Sequence, residues 1–146
     1  MLDQTFGQVY TKFKLHFYKQ IFNRFEDREA TLTTVESFCM EVIMALGEPT
    51  IAQFSHMMNL STPNAAYKIN SLVKKGYVER SRGLEDRRVV YISLSERGRK
   101  AYGHHARFHR EMIESLTSDL SEDEMQTLVK ALMKLNQWFR SKDGQR

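Results

Sequence analysis

Apolar side chains recur at steps of three and four through residues 2–29, at Phe6, Val9, Tyr10, Phe13, Phe17, Ile21 and Phe25. That spacing lines them along one side of a helix. A second run covers residues 33–46, where Val35, Phe38, Cys39, Val42, Ile43 and Leu46 share a face and Gly47 ends the helix. The stretch "EPTIAQFSHMMNL" predicts a short helix after Pro49. Thr50 caps it, and Gln53, three residues on, completes a capping box. Ile51, Phe54, Met57 or Met58, and Leu60 supply its apolar side. Asn59 suits the turn that follows, because asparagine tolerates left-handed backbone. Ser61 caps the next helix, and Pro63 fits the first turn, where its missing N–H is no loss. Ala65, Ile69, Leu72 and Val73 form its inward stripe, with Lys74, Lys75 and Gly76 closing it. Two short helices joined by a tight turn make a helix-turn-helix.

Beyond Gly76 the period changes to two. Val78, Arg80 and Arg82 alternate with Tyr77, Glu79 and Ser81, and residues 89–94 read as a second strand. Residues 83–88 connect them, so the pair forms a hairpin beside the helix-turn-helix, a wing. Ser95 caps a further helix running to about Leu120. Ser121 opens the last one with "SEDE", a capping box through Glu124. Its apolar stripe is Met125, Leu128, Leu132, Leu135, Trp138 and Phe139. The pattern predicts a mainly α fold: one winged helix-turn-helix domain over residues 1–146, its two-stranded wing inside a core of residues 33–94. Long helices at 1–30 and 96–142 flank that core.

Composition adds boundaries. At 41% hydrophobic and 27% charged, 146 residues can bury a real core. Cys39 is the lone cysteine, so no internal disulfide framework exists and a reducing cytoplasm is expected. No run approaches the roughly 18 apolar residues of a membrane span, and "MLDQTFGQVY" does not read as a signal peptide. Neither a membrane nor a cofactor is expected. Charge is unevenly spread. Residues 62–110 hold twelve Lys/Arg and four Asp/Glu, 12 − 4 = +8, while the rest holds ten and fourteen, 10 − 14 = −4. A concentrated positive region points to an anionic partner.

The second helix of the helix-turn-helix fits the major groove of double-stranded DNA, which is about 12 Å wide. Ser61, Thr62, Asn64, Ala66, Tyr67, Lys68, Asn70 and Ser71 are its candidate contacts. Hydroxyls and amides can bond base edges, Ala66 can touch a thymine methyl, and Lys68 can reach a phosphate. Arg82, Arg87 and Arg88 crowd the wing turn, where arginine can enter a minor groove. Asp86, two residues before Arg88, is placed to orient that guanidinium. Enzyme activity is not expected, since no phosphate loop, metallohydrolase motif or nucleophile with a base is present.

The stretch "LSTPNAAYKINSLVKKGYVERSRGLEDRRVVYISLSERG" resembles the MarR family of winged-helix transcription regulators. Leu60-Ser61, Ala65, Ile69, Leu72, the basic pair before Gly76, Val78 and Arg80, Asp86-Arg87-Arg88, and Leu94-Ser95 with Gly98 carry the resemblance. It implies a two-fold homodimer built from the terminal helices and bound to a palindromic operator, more often as a repressor. It also implies that Asp86 and Arg88 are the wing pair and that Asn64, Ala66 and Tyr67 face the bases. The two terminal stripes are compatible with that dimer, and equally with packing on each other inside one chain.

Two effector readings and one alternative function stay open. "RFHREMIESLTSDLSEDEM" resembles the MarR-type repressors of fatty-acid synthesis genes, which implies an acylated acyl carrier protein or another lipophilic effector. The basic run "RGRKAYGHHARFHR", including Arg107, His109 and Arg110, would dock the acidic carrier, and Phe13, Phe17, Met40, Met44 and Phe108 would line a slot for the chain. His105 and His109, four residues apart, could instead ligate zinc as in metal-sensing relatives, though no further ligands are evident and no metal is assigned. A winged helix that binds only proteins is the third reading. Cys39 faces the core and is expected to be inert.

Overall fold

A computed structural model of the chain describes residues 1–23 and 31–143, and the side chains of these apart from Ile21, Asn23, residues 102–106 and Asp143. The described elements run α1 (Leu2–Asn23), α2 (Thr34–Leu46), α3 (Ile51–Met57), α4 (Thr62–Lys74), β1 (Val78–Arg82), β2 (Val90–Leu94), α5 (Glu96–Thr117) and α6 (Glu122–Asp143). This is the mainly α, winged helix-turn-helix architecture that the periodicities predict. The end of the expected first helix, with Phe25, lies outside the described residues.

Local chemistry sets most boundaries. Thr33 caps α2 through its hydroxyl, while Glu36 returns to the Thr33 N–H. Gly47 ends that helix at φ 63°, a left-handed turn that costs glycine nothing. Thr50 and Gln53 form the same reciprocal box on α3. Asn59 takes the tight turn at φ 51°. The buried Ser55 holds that turn, its hydroxyl donating to the Leu60 carbonyl at 2.7 Å.

The chain divides into two compact units, Met1–Ala101 and Tyr102–Arg146. In the first, Cys39, Met40, Ile43, Phe54, Ala65, Ile69, Leu72 and Ile92 are sealed from solvent. They come from α2, α3, α4 and β2, so the helix-turn-helix and the base of the wing share one core. Helix α1 reaches α2 through Phe17 and Phe38, whose ring centroids are 5.8 Å apart. The wing is an antiparallel pair, Val78 opposite Leu94 and Arg82 opposite Val90. The second strand starts one residue later than the sequence pattern predicts, at Val90. The Val89 N–H donates to the Asp86 carbonyl at 3.1 Å, which closes a turn and takes that N–H out of the strand ladder. A one-residue bridge between Thr50 and Tyr91 ties the α3 entry to the sheet.

In the second unit α6 opens on Ser121, whose N–H and hydroxyl both donate to Glu124 Oε2, at 2.8 and 2.7 Å. Leu132, Trp138 and Phe139 of α6 remain exposed, as do Ile113 and Leu116 of α5. No described helix is long and apolar enough to cross a membrane.

Candidate nucleic-acid interface

Burying Ala65, Ile69 and Leu72 on the core turns the opposite side of α4 outward. Ser61, Thr62, Asn64, Tyr67 and Asn70 are exposed there, Tyr67 by 74%. Ala66 and Lys68 sit on the flanks, half-buried. Ser61 caps the helix, its hydroxyl accepting from the Asn64 N–H at 3.4 Å. The outward N-terminal half of α4 therefore offers hydroxyl, amide and phenol groups at the positive end of a helix dipole.

The C-terminal end of α4 is anchored with unusual thoroughness. Ser95 donates its hydroxyl proton to the Gly76 carbonyl at 2.6 Å, and Arg97 donates to the Lys75 carbonyl at 3.0 Å. The Arg97 guanidinium also lies 4.5 Å from the Tyr77 ring centroid. Lys75 in turn donates to Glu36 Oε2 at 2.7 Å and to the Thr31 carbonyl at 2.8 Å. Ser71 donates to Glu36 Oε1 at 2.7 Å. Burial by itself would raise the Glu36 carboxyl. The Lys75 ammonium and the hydrogen bonds from Thr33 and Ser71 outweigh burial and hold it at about 2. Glu36 thus joins the start of α2 to the last turn of α4. Gly98 completes the joint: a Cβ there would lie 2.2 Å from the Tyr77 carbonyl oxygen.

On the wing, Asp86 organises the turn. Its Oδ1 accepts from the Arg88 N–H at 2.9 Å and from Nε at 3.2 Å, while Oδ2 accepts from Nη2 at 3.2 Å. Those bonds lower the Asp86 pKa. The Arg88 side chain stays 92% exposed, so the fork fixes its direction and leaves the guanidinium open to solvent. Arg82 and Arg87 are exposed on the same hairpin. Arg80 of β1 donates to the side-chain oxygen of Asn70 on α4. The surface of α4 and the hairpin tip belong to the same unit, with base-compatible groups on one and arginines on the other.

The residues suggested for an effector have mixed surroundings. Met40 is fully buried in the core, whereas Phe13 and Met44 are 42% and 41% exposed. Phe17 is half-buried against Phe38. Phe108 is half-buried on the second unit, in a groove with Glu111, Met112, Ser115 and Leu116. Arg107 pairs with Glu111 at 2.7 Å, and His109 and Arg110 are exposed. The His105 side chain lies outside those described. Among the described residues no group of three or more His, Cys, Asp or Glu is placed to hold a metal. Cys39 is buried, and burial pushes its thiol pKa up, away from the thiolate.

Sequence reasoning missed three things here. The Thr33–Glu36 spacing is a capping-box signature that the pattern of apolar positions passes over. Arg97 and Arg99 read as part of a basic face, yet Arg97 serves α4, and Arg99 donates to the Leu94 carbonyl at 2.7 Å. Arg80 carries no local signal for its contact with Asn70.

A family model described as transcriptional regulator SarA/Rot matches residues 20–104. The HTH-type transcriptional regulator YwhA of Bacillus subtilis is 31% identical over 106 residues, covering 73% of this chain and 76% of its own. Among solved structures, Streptococcus pneumoniae FabT in complex with DNA is 27% identical, with a TM-score of 0.64 over 97% of this chain and 99% of that one. A mutant MarR from E. coli complexed with operator DNA is 20% identical, with a TM-score of 0.51 over 88% of this chain and 91% of its own, which shows a shared fold.

Proposed function

The chain belongs to the SarA/Rot transcriptional regulators, a MarR-like DNA-binding winged-helix family and not a family of enzymes, and from that premise we propose that it is a homodimeric repressor of a palindromic operator. Helix α4 enters the major groove through Ser61, Thr62, Asn64, Ala66, Tyr67, Lys68 and Asn70. The hairpin carries Arg82, Arg87 and the Asp86-oriented Arg88 to the flanking minor groove. The observation that carries this reading is the exposed polar side of α4 standing in one unit with an exposed, oriented arginine hairpin. The likeness to FabT, whose structure is a DNA complex, supports it. The regulator would act in the cytoplasm, where such DNA lies.

Dimer formation is supported by the apolar side chains left exposed on α1 and α6, among them Phe6, Tyr10, Phe13, Leu132, Trp138 and Phe139. Large apolar side chains exposed along a helix in this way mark interaction surfaces. Two copies of α4 about one axis would meet successive major grooves about 34 Å apart. An acylated acyl carrier protein or a small lipophilic molecule is the effector class that fits the groove at Phe108, Met112 and Leu116, which Ser115 and the Arg107-paired Glu111 also line.

The test is Arg88→Ala on a duplex selected by the parent protein. Affinity should fall about tenfold, most on sites with a narrow flanking groove. Equal affinity for the parent and the variant would remove the wing from the interface.

A further inference from the structure

Asn70 and Arg80 meet at the joint between α4 and β1. Arginine has N–H donors and no acceptor, so the Asn70 amide must present its oxygen to Arg80. The usual ambiguity over which end of an amide points where is therefore removed. Oδ1 faces the strand, and Nδ2 is the end left for other partners. Arg80 is itself fixed in the ladder, opposite Ile92. Both residues are exposed, and Asn70 stands one helical turn beyond the open ring of Tyr67.

This arrangement limits what Asn70 can recognise. An unrestrained asparagine reads adenine with both ends of its amide on one base edge. An amide whose oxygen is turned to the wing cannot do that. A positive guanidinium on the oxygen also polarises the amide and strengthens its N–H as a donor. We propose that Arg80 is a positioning residue that makes Asn70 a one-way hydrogen-bond donor, so that Asn70 selects an acceptor on DNA and rejects the amino group of cytosine. The acceptor is a guanine O6 or N7, an adenine N7, a thymine O4, or a phosphate oxygen. The proposal rests on the reading of α4 as the DNA-contacting helix.

Asn70→Asp separates the two ends of the amide. It keeps an oxygen for Arg80 and replaces the outward donor with an acceptor. Selection from a randomised duplex library, followed by affinity measurement, is applied to the parent, Asn70→Asp, Arg80→Met and Arg80→Lys, each checked for unchanged thermal unfolding. Asn70→Asp should lose about tenfold or more on the parent's preferred site. If the acceptor is a base, the selected sequence changes at one position of each half-site. If it is a phosphate, affinity falls evenly across sequences. Arg80→Met should show the same kind of change more weakly, and Arg80→Lys, which keeps a donor, should restore the parent's behaviour. A parent that selects no duplex defeats the DNA-binding reading itself. A parent that selects, matched in affinity and preference by Asn70→Asp, overturns this inference alone. Arg80→Met indistinguishable from the parent overturns the positioning role.

Discussion

Helices α4 and α6 carry apolar side chains at the same helical spacing, yet the two stripes end in different places. In α4, Ala65, Ile69 and Leu72 are sealed against α2, α3 and the wing base. In α6, Leu132, Trp138 and Phe139 keep about half their surface in solvent, at 51%, 53% and 54%. Helix α1 follows α6: Phe6, Val9, Tyr10 and Phe13 are exposed, while Phe17 is half-buried against Phe38. Amphipathic spacing says that a face will be buried. It does not say whether the covering surface is in the same chain. The winged helix has its own core, and the terminal helices present the apolar faces that the proposed dimer would cover.

The largest effect is expected in the core of the winged helix. Phe54→Ala removes a fully buried ring and should cost about 3–5 kcal/mol of unfolding free energy in urea denaturation. A loss below about 1 kcal/mol would mean that the winged helix is not the stable part of the chain.

Next in size is the Glu36 cluster, which anchors the last turn of α4. Its carboxyl is lowered from 4.5 to about 2 in the folded protein, corresponding to about 3 kcal/mol. The folded state binds the proton less readily than the unfolded chain. This stabilisation is therefore complete above about pH 4.5 and drains away as pH falls toward about 2. Denaturation across that window should show the slope in the parent and a flatter profile in Glu36→Gln. The variant should also lose about 2 kcal/mol at neutral pH. Parallel pH profiles would place the acid sensitivity elsewhere.

The smallest effect on folding should come from the exposed stripe. Phe139→Asp should leave unfolding of the winged helix nearly unchanged while weakening self-association about thirtyfold or more, read by sedimentation. Unchanged association would move the dimer surface away from α6.

Much of this was legible in the sequence because it is local. Ser61, Ser95 and Ser121 each sit three residues before the N–H that they cap, at Asn64, Gly98 and Glu124. Gly47 and Asn59 mark their turns by the backbone that they tolerate. The wing pair Asp86 and Arg88 is two residues apart, and its bonds follow from that spacing. What stayed hidden is non-local. Glu36 meets Ser71 and Lys75 across 35 and 39 residues, and no periodicity encodes such a meeting. The Thr50–Tyr91 bridge is one residue long, too short for alternation to register. Arg80 and Arg97 carry no mark of their partners, because a basic residue reads the same whether it faces water, a carbonyl or an amide.

The central claim is that one positively charged surface, made by α4 and the wing, binds duplex DNA. The most direct test is photo-crosslinking of the protein to a genomic duplex that it retains in dilute buffer, with mass spectrometry of the attached peptides. Attachment is expected within residues 61–74 and 82–89, lost steeply as salt rises because released counterions drive binding. No retained duplex, or attachment confined to α6, would contradict it.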